Sequence, residues 1–249
     1  MKKKPVIIIF TTLIFFLFIG KSSAQLVAVD SSSQQHAFNN AVSLLNTSLS
    51  EQSPLYNGPE YYFYDPTIKG NAYFMEVNSF TTGAVSYDGH SFVNVQMLYD
   101  LFSDNVAVLL YNHFTKFYLL KEKTKSFDFL GHHFVNINTD TVNNKSAIKS
   151  GYYDELYNGK TEVLVKRTKS VQTTSGIGGL EKYYSPSTDY YLRKNKIYYS
   201  VSSQGDMLDL LKDKKKDLQQ YIKANKIKFR RDPEDALVKI ASYYDHITN

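Results

Sequence analysis

Residues 83–100 read GAVSYDGHSFVNVQMLYD. Strand-like runs stand on both sides of Asp88-Gly89. An Asp-Gly pair accepts positive φ at both central positions of a tight turn, so the stretch predicts a hairpin with strands over 83–87 and 90–98. The same pattern continues outward. Strands are expected over 106–111 and 117–120, joined through 112–116, and over 126–130 and 133–137, turning at Gly131-His132. Further pairs are expected over 152–157 and 161–168 across Asn158-Gly159, and over 190–192 and 197–201 across Lys194-Asn195-Lys196. Asn57-Gly58 marks one more turn. Strands that follow strands through short turns predict an antiparallel meander, here a curved sheet of about ten strands.

Composition agrees. The chain has 21 Tyr, 16 Phe and no Trp. Wide rings pack well across a pleated surface, so sheet packing explains most of them. Tyrosine also joins an apolar face to a polar tip, which leaves an aromatic binding face as the second reading. Residues 138–150 are polar and read as a loop. Residues 170–179, SVQTTSGIGG, are expected to be a flexible loop. A phosphate-binding loop needs a following helix, and the next residues, LEKYY, do not supply one.

Helical spacing appears at the two flanks. From 34 to 48, Ala37, Phe38, Ala41, Val42, Leu44 and Leu45 recur every three or four residues, which predicts an N-terminal helix. At the other end Met207, Leu210, Leu211, Leu218, Tyr221 and Ile222 form an apolar stripe. Asp232-Pro233-Glu234-Asp235 then opens a last helix, with a capping acid, a proline in the first turn and acids at the positive helix end. Ala236, Leu237, Ile240, Ala241 and Tyr244 supply its buried face. The fold class is therefore α+β. The organisation expected is 1–24, a signal peptide; 25–54, a flexible start and helix; 55–203, the β domain; and 204–249, a helical segment packed on it.

The start of the chain carries the targeting reading. Lys2, Lys3 and Lys4 precede a run of 15 mostly apolar residues from 6 to 20, then Lys21-Ser22-Ser23-Ala24. A positive region, an apolar core and small residues before the cut make a secretory signal, with cleavage expected between Ala24 and Gln25. Fifteen residues fall short of the roughly 20 that span a bilayer, so no transmembrane helix is expected after processing. The chain has no cysteine, which removes lipidation at the cut, disulfides and thiol nucleophiles together.

Removing 1–24 takes away four of the 29 basic residues and no acid, leaving 25 against 24, a net of +1. That balance gives no reason to expect nucleic acid as a partner. Charge is instead local. Residues 206–231 hold nine basic and four acidic side chains, and 232–249 hold one and four. Lys212, Lys214, Lys215, Lys216 and Lys223 are thus a candidate face for an anionic partner. The alternative is a solvated face balanced by the acidic helix beside it.

With these pieces in order, the chain resembles a family of exported bacterial β-rich proteins of unknown function. The matching segments are LYNGPEY (55–61), VSYDG with VNVQMLYD (85–100), GYYDELYNGKTEVLVKR (151–167) and LLKDKKKDLQQYIKANKIKF (210–229). The resemblance implies a periplasmic, envelope-associated or secreted location and carries over no catalytic residue.

No motif names a reaction. The histidines are His36, His90, His113, His132, His133 and His246. His132-His133 is the one cluster, and strand neighbours face opposite ways, so no metal site is expected. Asp65, Glu76, Asp88, Asp100, Asp128 and Asp154 are carboxylates that a hydrolase acting on surface polymers would have to pair across a cleft. No cofactor motif is present. The leading expectation is a non-enzymatic binding or scaffolding module of the envelope, meeting lipid, polysaccharide or protein. A carrier of an apolar ligand in the hollow of the sheet and a hydrolase are the alternatives. A carrier requires an apolar cavity, a hydrolase a cleft with clustered carboxylates or histidines, and a scaffold neither.

Overall fold

The structure is a computed structural model that describes residues 53–139, 144–176 and 178–248, with Ala37, Asn40 and Ala41. The chain divides into two compact units, Met1–Phe38 and Asn39–Asn249, and the sheet and helices described below belong to the second. The expected signal peptide, residues 1–24, lies outside the described residues. So does the expected N-terminal helix, apart from Ala37, Asn40 and Ala41, which are helical.

Among the described residues, ten strands form one antiparallel sheet. They are β1 Thr81–Tyr87, β2 His90–Asp100, β3 Asn105–Leu109, β4 Lys116–Tyr118 and β5 Thr124–Phe129. Then come β6 His132–Ile137, β7 Gly151–Asn158, β8 Glu162–Gly176, β9 Gly179–Lys194 and β10 Ile197–Ser200. Three helices come after the sheet: α1 Gln204–Leu210, α2 Lys215–Ala224 and α3 Pro233–Ile247. The Asp88-Gly89 hairpin forms as its chemistry requires, with φ of 51° and 78° and Tyr87 facing His90 across the turn.

The sheet is not a single meander. Its order is β10-β9-β8-β7-β6-β5-β1-β2-β3-β4, so two meanders meet where β5 pairs with β1. The link from β4 to β5 is only residues 119–123, too short to loop widely, and it demands a strongly curved sheet. Contacts across the sheet show that curvature. Three strands separate β2 from β7, about 19 Å in a flat sheet. Yet the rings of Tyr99 and Tyr152 lie 6.0 Å apart, and the amide of Tyr152 donates to Asp104 Oδ2 at 3.3 Å. The Lys169 amide of β8 likewise reaches the Leu101 carbonyl, at 3.1 Å. The sheet is rolled but open. Its β4 edge is covered by hydrogen bonds with Pro59 and Tyr61, and its β10 edge by one from Ala147.

Among the described residues, aromatic and aliphatic side chains pack the hollow of the roll. Phe127 stacks on Phe134 at 4.7 Å, Tyr99 meets both edge-on, and Phe74 closes on Phe134 at 5.1 Å. Farther along the sheet, Val163 and Leu192 carry the C-terminal helices. Leu211, Leu218, Ile222, Leu237 and Ile240 are buried there as their spacing predicts. Leu210 is only half-buried, and Leu208 takes the inward place instead. Asp245 ties α3 to the β7–β8 turn: it accepts from the amide and hydroxyl of Thr161 and from the Tyr157 hydroxyl.

Three further expectations need correction. The stretch 170–179 is not a loop in its described part, because β8 and β9 stay paired out to Gly176 and Gly179. Its Ser, Thr and Val residues suit a two-stranded arm, and the glycines serve the tip. The β5–β6 turn falls on Leu130 and Gly131, at φ 52° and 81°, one residue earlier than expected. Asn158-Gly159 is no positive-φ pair; β7 and β8 connect through 159–161, where Asp245 holds the backbone from outside.

Candidate functional site

The outer face of β2, β3 and β4 is covered by the segment Tyr61-Tyr62-Phe63-Tyr64. Hydrogen bonds to β4 anchor this segment, and Tyr61 and Tyr62 alternate between the sheet and solvent. Tyr61 turns inward onto Tyr118 and Tyr73, with its ring 5.0 Å from that of Tyr118. Its hydroxyl shares a very short hydrogen bond with that of Tyr73. Burial first, then that hydrogen bond, pushes the Tyr61 phenol far above its usual range.

Asp100, the last residue of β2, is wholly buried under this layer. A bare buried carboxylate is costly, and this one is fully partnered. Oδ1 accepts from the amides of Phe102 and Ser103, at 2.9 and 3.1 Å. Oδ2 accepts from the hydroxyls of Tyr64 at 2.6 Å, Ser103 at 2.6 Å and Tyr118 at 3.0 Å. Burial and the bond to Asp100 raise the Tyr64 phenol strongly, and burial raises that of Tyr118. Asp100 is therefore a clamp that orients rings.

Those rings end in exposed ones. Phe63 packs on Tyr61 at 5.4 Å and is 51% exposed. Phe102 packs on Tyr64 and Tyr184, at 5.4 and 5.8 Å, and is 43% exposed. Phe114, in the β3–β4 turn, is 80% exposed. Its backbone is fixed by Asn112 Oδ1, which accepts from the amides of Phe114 and Thr115. Lys116 lies over the rings of both Phe63 and Phe114, at 5.5 and 5.6 Å, and donates to the Phe114 carbonyl. Tyr62, also exposed, donates to Glu60. The result is an aromatic surface beside which Lys116 and Tyr62 are already engaged.

A second cluster sits where the rolled sheet meets α3. His132 Nδ1–H donates to Asp154 Oδ2 at 2.7 Å. Arg167 Nη2 reaches the same oxygen at 3.1 Å and both oxygens of Glu234 at 2.9 and 3.0 Å. Phe74 packs against both His132 and Arg167. A histidine oriented by a carboxylate is half of a general base. Among the described residues no hydroxyl is hydrogen-bonded to His132. The cluster ties the sheet to Glu234 of α3.

The other carboxylates singled out in the sequence are separately occupied. Asp65 accepts from Thr67, Asp88 from Lys123, Glu76 from Lys169, and Asp128 from His133 on the face opposite His132. Among the described residues, no group of three or more His, Cys, Asp or Glu is placed to hold a metal, and no helix is long and apolar enough to cross a membrane.

Of the basic candidates, Lys212, Lys216 and Lys223 are exposed, and Lys214 and Lys215 are half-buried. Lys215 pairs with Asp209 at 2.6 Å. The aromatic surface was only partly legible. Composition suggested an aromatic face, and the YYFY run was the local signal for it. No protein family, curated protein or solved structure matches the chain.

Proposed function

We propose that the chain is an exported, non-enzymatic binding module of the cell envelope that holds a protein partner on its outer aromatic face. One observation carries this reading: Phe63 and Phe102 are exposed yet held by packed rings, and turn hydrogen bonds fix the backbone of the exposed Phe114 beside them. Rigid aromatic side chains bind at little entropic cost and dominate protein interfaces. Phenylalanine lacks the polar tip that orients a sugar, and the polar groups beside it, Lys116 and Tyr62, are engaged, which favours an apolar protein surface over a polysaccharide. The carrier reading has no such support, because rings occupy the hollow of the roll. Export rests on the leader pattern of residues 1–24.

The test is a photoreactive phenylalanine analogue at position 63 or 114 in cells. A discrete cross-linked protein is expected, and none from position 200 on the far edge strand. Phe63→Ala and Phe114→Ala should each weaken binding of that partner by about 1–2 kcal/mol, roughly five- to thirty-fold. Equal cross-linking from positions 63, 114 and 200, or none at all, overturns the reading. Export is checked separately by N-terminal sequencing, with Gln25 expected first.

A further inference from the structure

The C-terminal helices carry an uneven charge. The simple expectation is that the acids of 232–249 neutralise the basic run before them. They do not. Glu234 is taken by Arg167, Asp235 by Lys239 and Asp245 by Thr161 and Tyr157, while Asp232 caps α3. Acids inside the basic run are also engaged. Asp213 serves Lys194 and Tyr244, Asp209 serves Lys215, and Asp206 accepts from the amides of Ser202 and Ser203. The fourth, Asp217, stands in the first turn of α2, at the opposite end of that helix from Lys228.

Lys228, Arg230 and Arg231 are exposed, and among the described residues their side chains form no ion pair or hydrogen bond. The fold gathers them. Lys226, at φ 53°, turns the chain out of α2, and the amides of Arg231 and Asp232 close back on the Lys228 carbonyl. Phe229 is buried among the helices and pins the loop, so its neighbours stay at the surface. Facing them is the entry to α1. Between residues 202–205 and 228–231 lies a pocket of about 720 Å³, and the side-chain amide of Gln204 in its wall has no partner among the described residues.

We propose that this pocket binds a phosphate ester, borne by a small soluble molecule or by a lipid headgroup. Two guanidinium forks match phosphate oxygens in pairs and the lysine adds a point charge. The volume suits a phosphate with its organic substituent, within the usual range for small-molecule sites of roughly 300–1,000 Å³. Lys216 stands in the first turn of α2 and Lys212 just before it, about 15 Å from the other end along the helix axis, and the two are the internal control.

The experiment follows amide resonances of the purified protein during titration with glycerol 3-phosphate, and co-sedimentation with phosphatidylglycerol or phosphatidylcholine vesicles. Saturable shifts at 202–205 are expected, with affinity falling at least about tenfold in Lys228→Gln/Arg230→Gln/Arg231→Gln. All three positions are exposed, so a thermal melt should show that variant folded. Binding only to phosphatidylglycerol vesicles, lost in the same variant, upholds the site and assigns the headgroup as source. No response to either probe overturns the proposal. So does binding that survives the triple variant, or that Lys212→Gln/Lys216→Gln lowers equally.

Discussion

Asp100 shows how one residue organises a surface. Its buried carboxylate holds two amides and three hydroxyls. Asp100→Asn keeps the shape but turns two acceptor positions into donors that face hydroxyl groups. A loss of about 2–3 kcal/mol is expected in urea denaturation, the scale of hydrogen bonds to a charged group. Two glycines then separate two kinds of constraint. Gly89, at φ 78°, has open space around it, so Gly89→Val costs only backbone strain, about 1–2 kcal/mol. Gly159 has no such φ, but a Cβ there meets Asp245 Oδ2 and Tyr157 Oη at 2.5 Å. Its cost is that of displacing the α3 anchor. In a double-mutant cycle Gly159→Val should couple to Asp245→Ala, whereas Gly89→Val should simply add to it.

At the scale of elements, the helices are part of the core. Leu218 and Leu237 are fully buried against the sheet end, and either change to Ala should cost about 2–5 kcal/mol by calorimetry or denaturant titration. Neutralising Lys212 and Lys216 should leave that midpoint nearly unchanged, because exposed charges contribute little. The β8–β9 arm is the opposite case. Beyond Val171 its β8 side chains are exposed, and its contacts to the rest of the fold lie at its base, in the strand-like pairing of Lys69 with Lys182 and Tyr184 and the packing of the Tyr184 ring on Tyr64 and Phe102. Replacing residues 174–181 with a short turn removes only the exposed Lys69–Glu181 pair and should shift stability by less than about 1 kcal/mol. A large loss would show that the arm supports the roll.

Across the whole molecule, buried phenols set the alkaline limit. Burial, with the charge of Asp100 or Glu162 adding to it, raises Tyr73 and Tyr198 each to about 12. Both tyrosines release their protons at about 10 in the unfolded chain. Between those values the unfolded state binds fewer protons than the folded state, so stability falls as pH rises. The contribution is fully present below a pH of about 10 and is lost progressively toward about 12. Thermal melts across that range should show this decline, and phenolate absorbance should rise together with unfolding.

What the sequence by itself determined is what depends on near neighbours. Asp88-Gly89 sets a hairpin because two adjacent residues accept positive φ, and Asp232-Pro233 starts α3 because cap and first turn lie side by side. The count of ten strands and the buried stripe of α3 follow from periods of two and 3.6. Only the tertiary structure decided that β5 pairs with β1, since open sheet edges carry the same donors and acceptors whatever strand they belong to. It alone decided that Tyr61 is buried while Phe63, two residues on, stays half in solvent. It also decided that the α3 acids turn to other partners than Lys228, Arg230 and Arg231. Burial and ion pairing depend on what arrives from distant parts of the chain: Tyr118 on Tyr61, Arg167 on Glu234, Thr161 on Asp245. No local pattern encodes those meetings, because they exist only once the sheet has rolled.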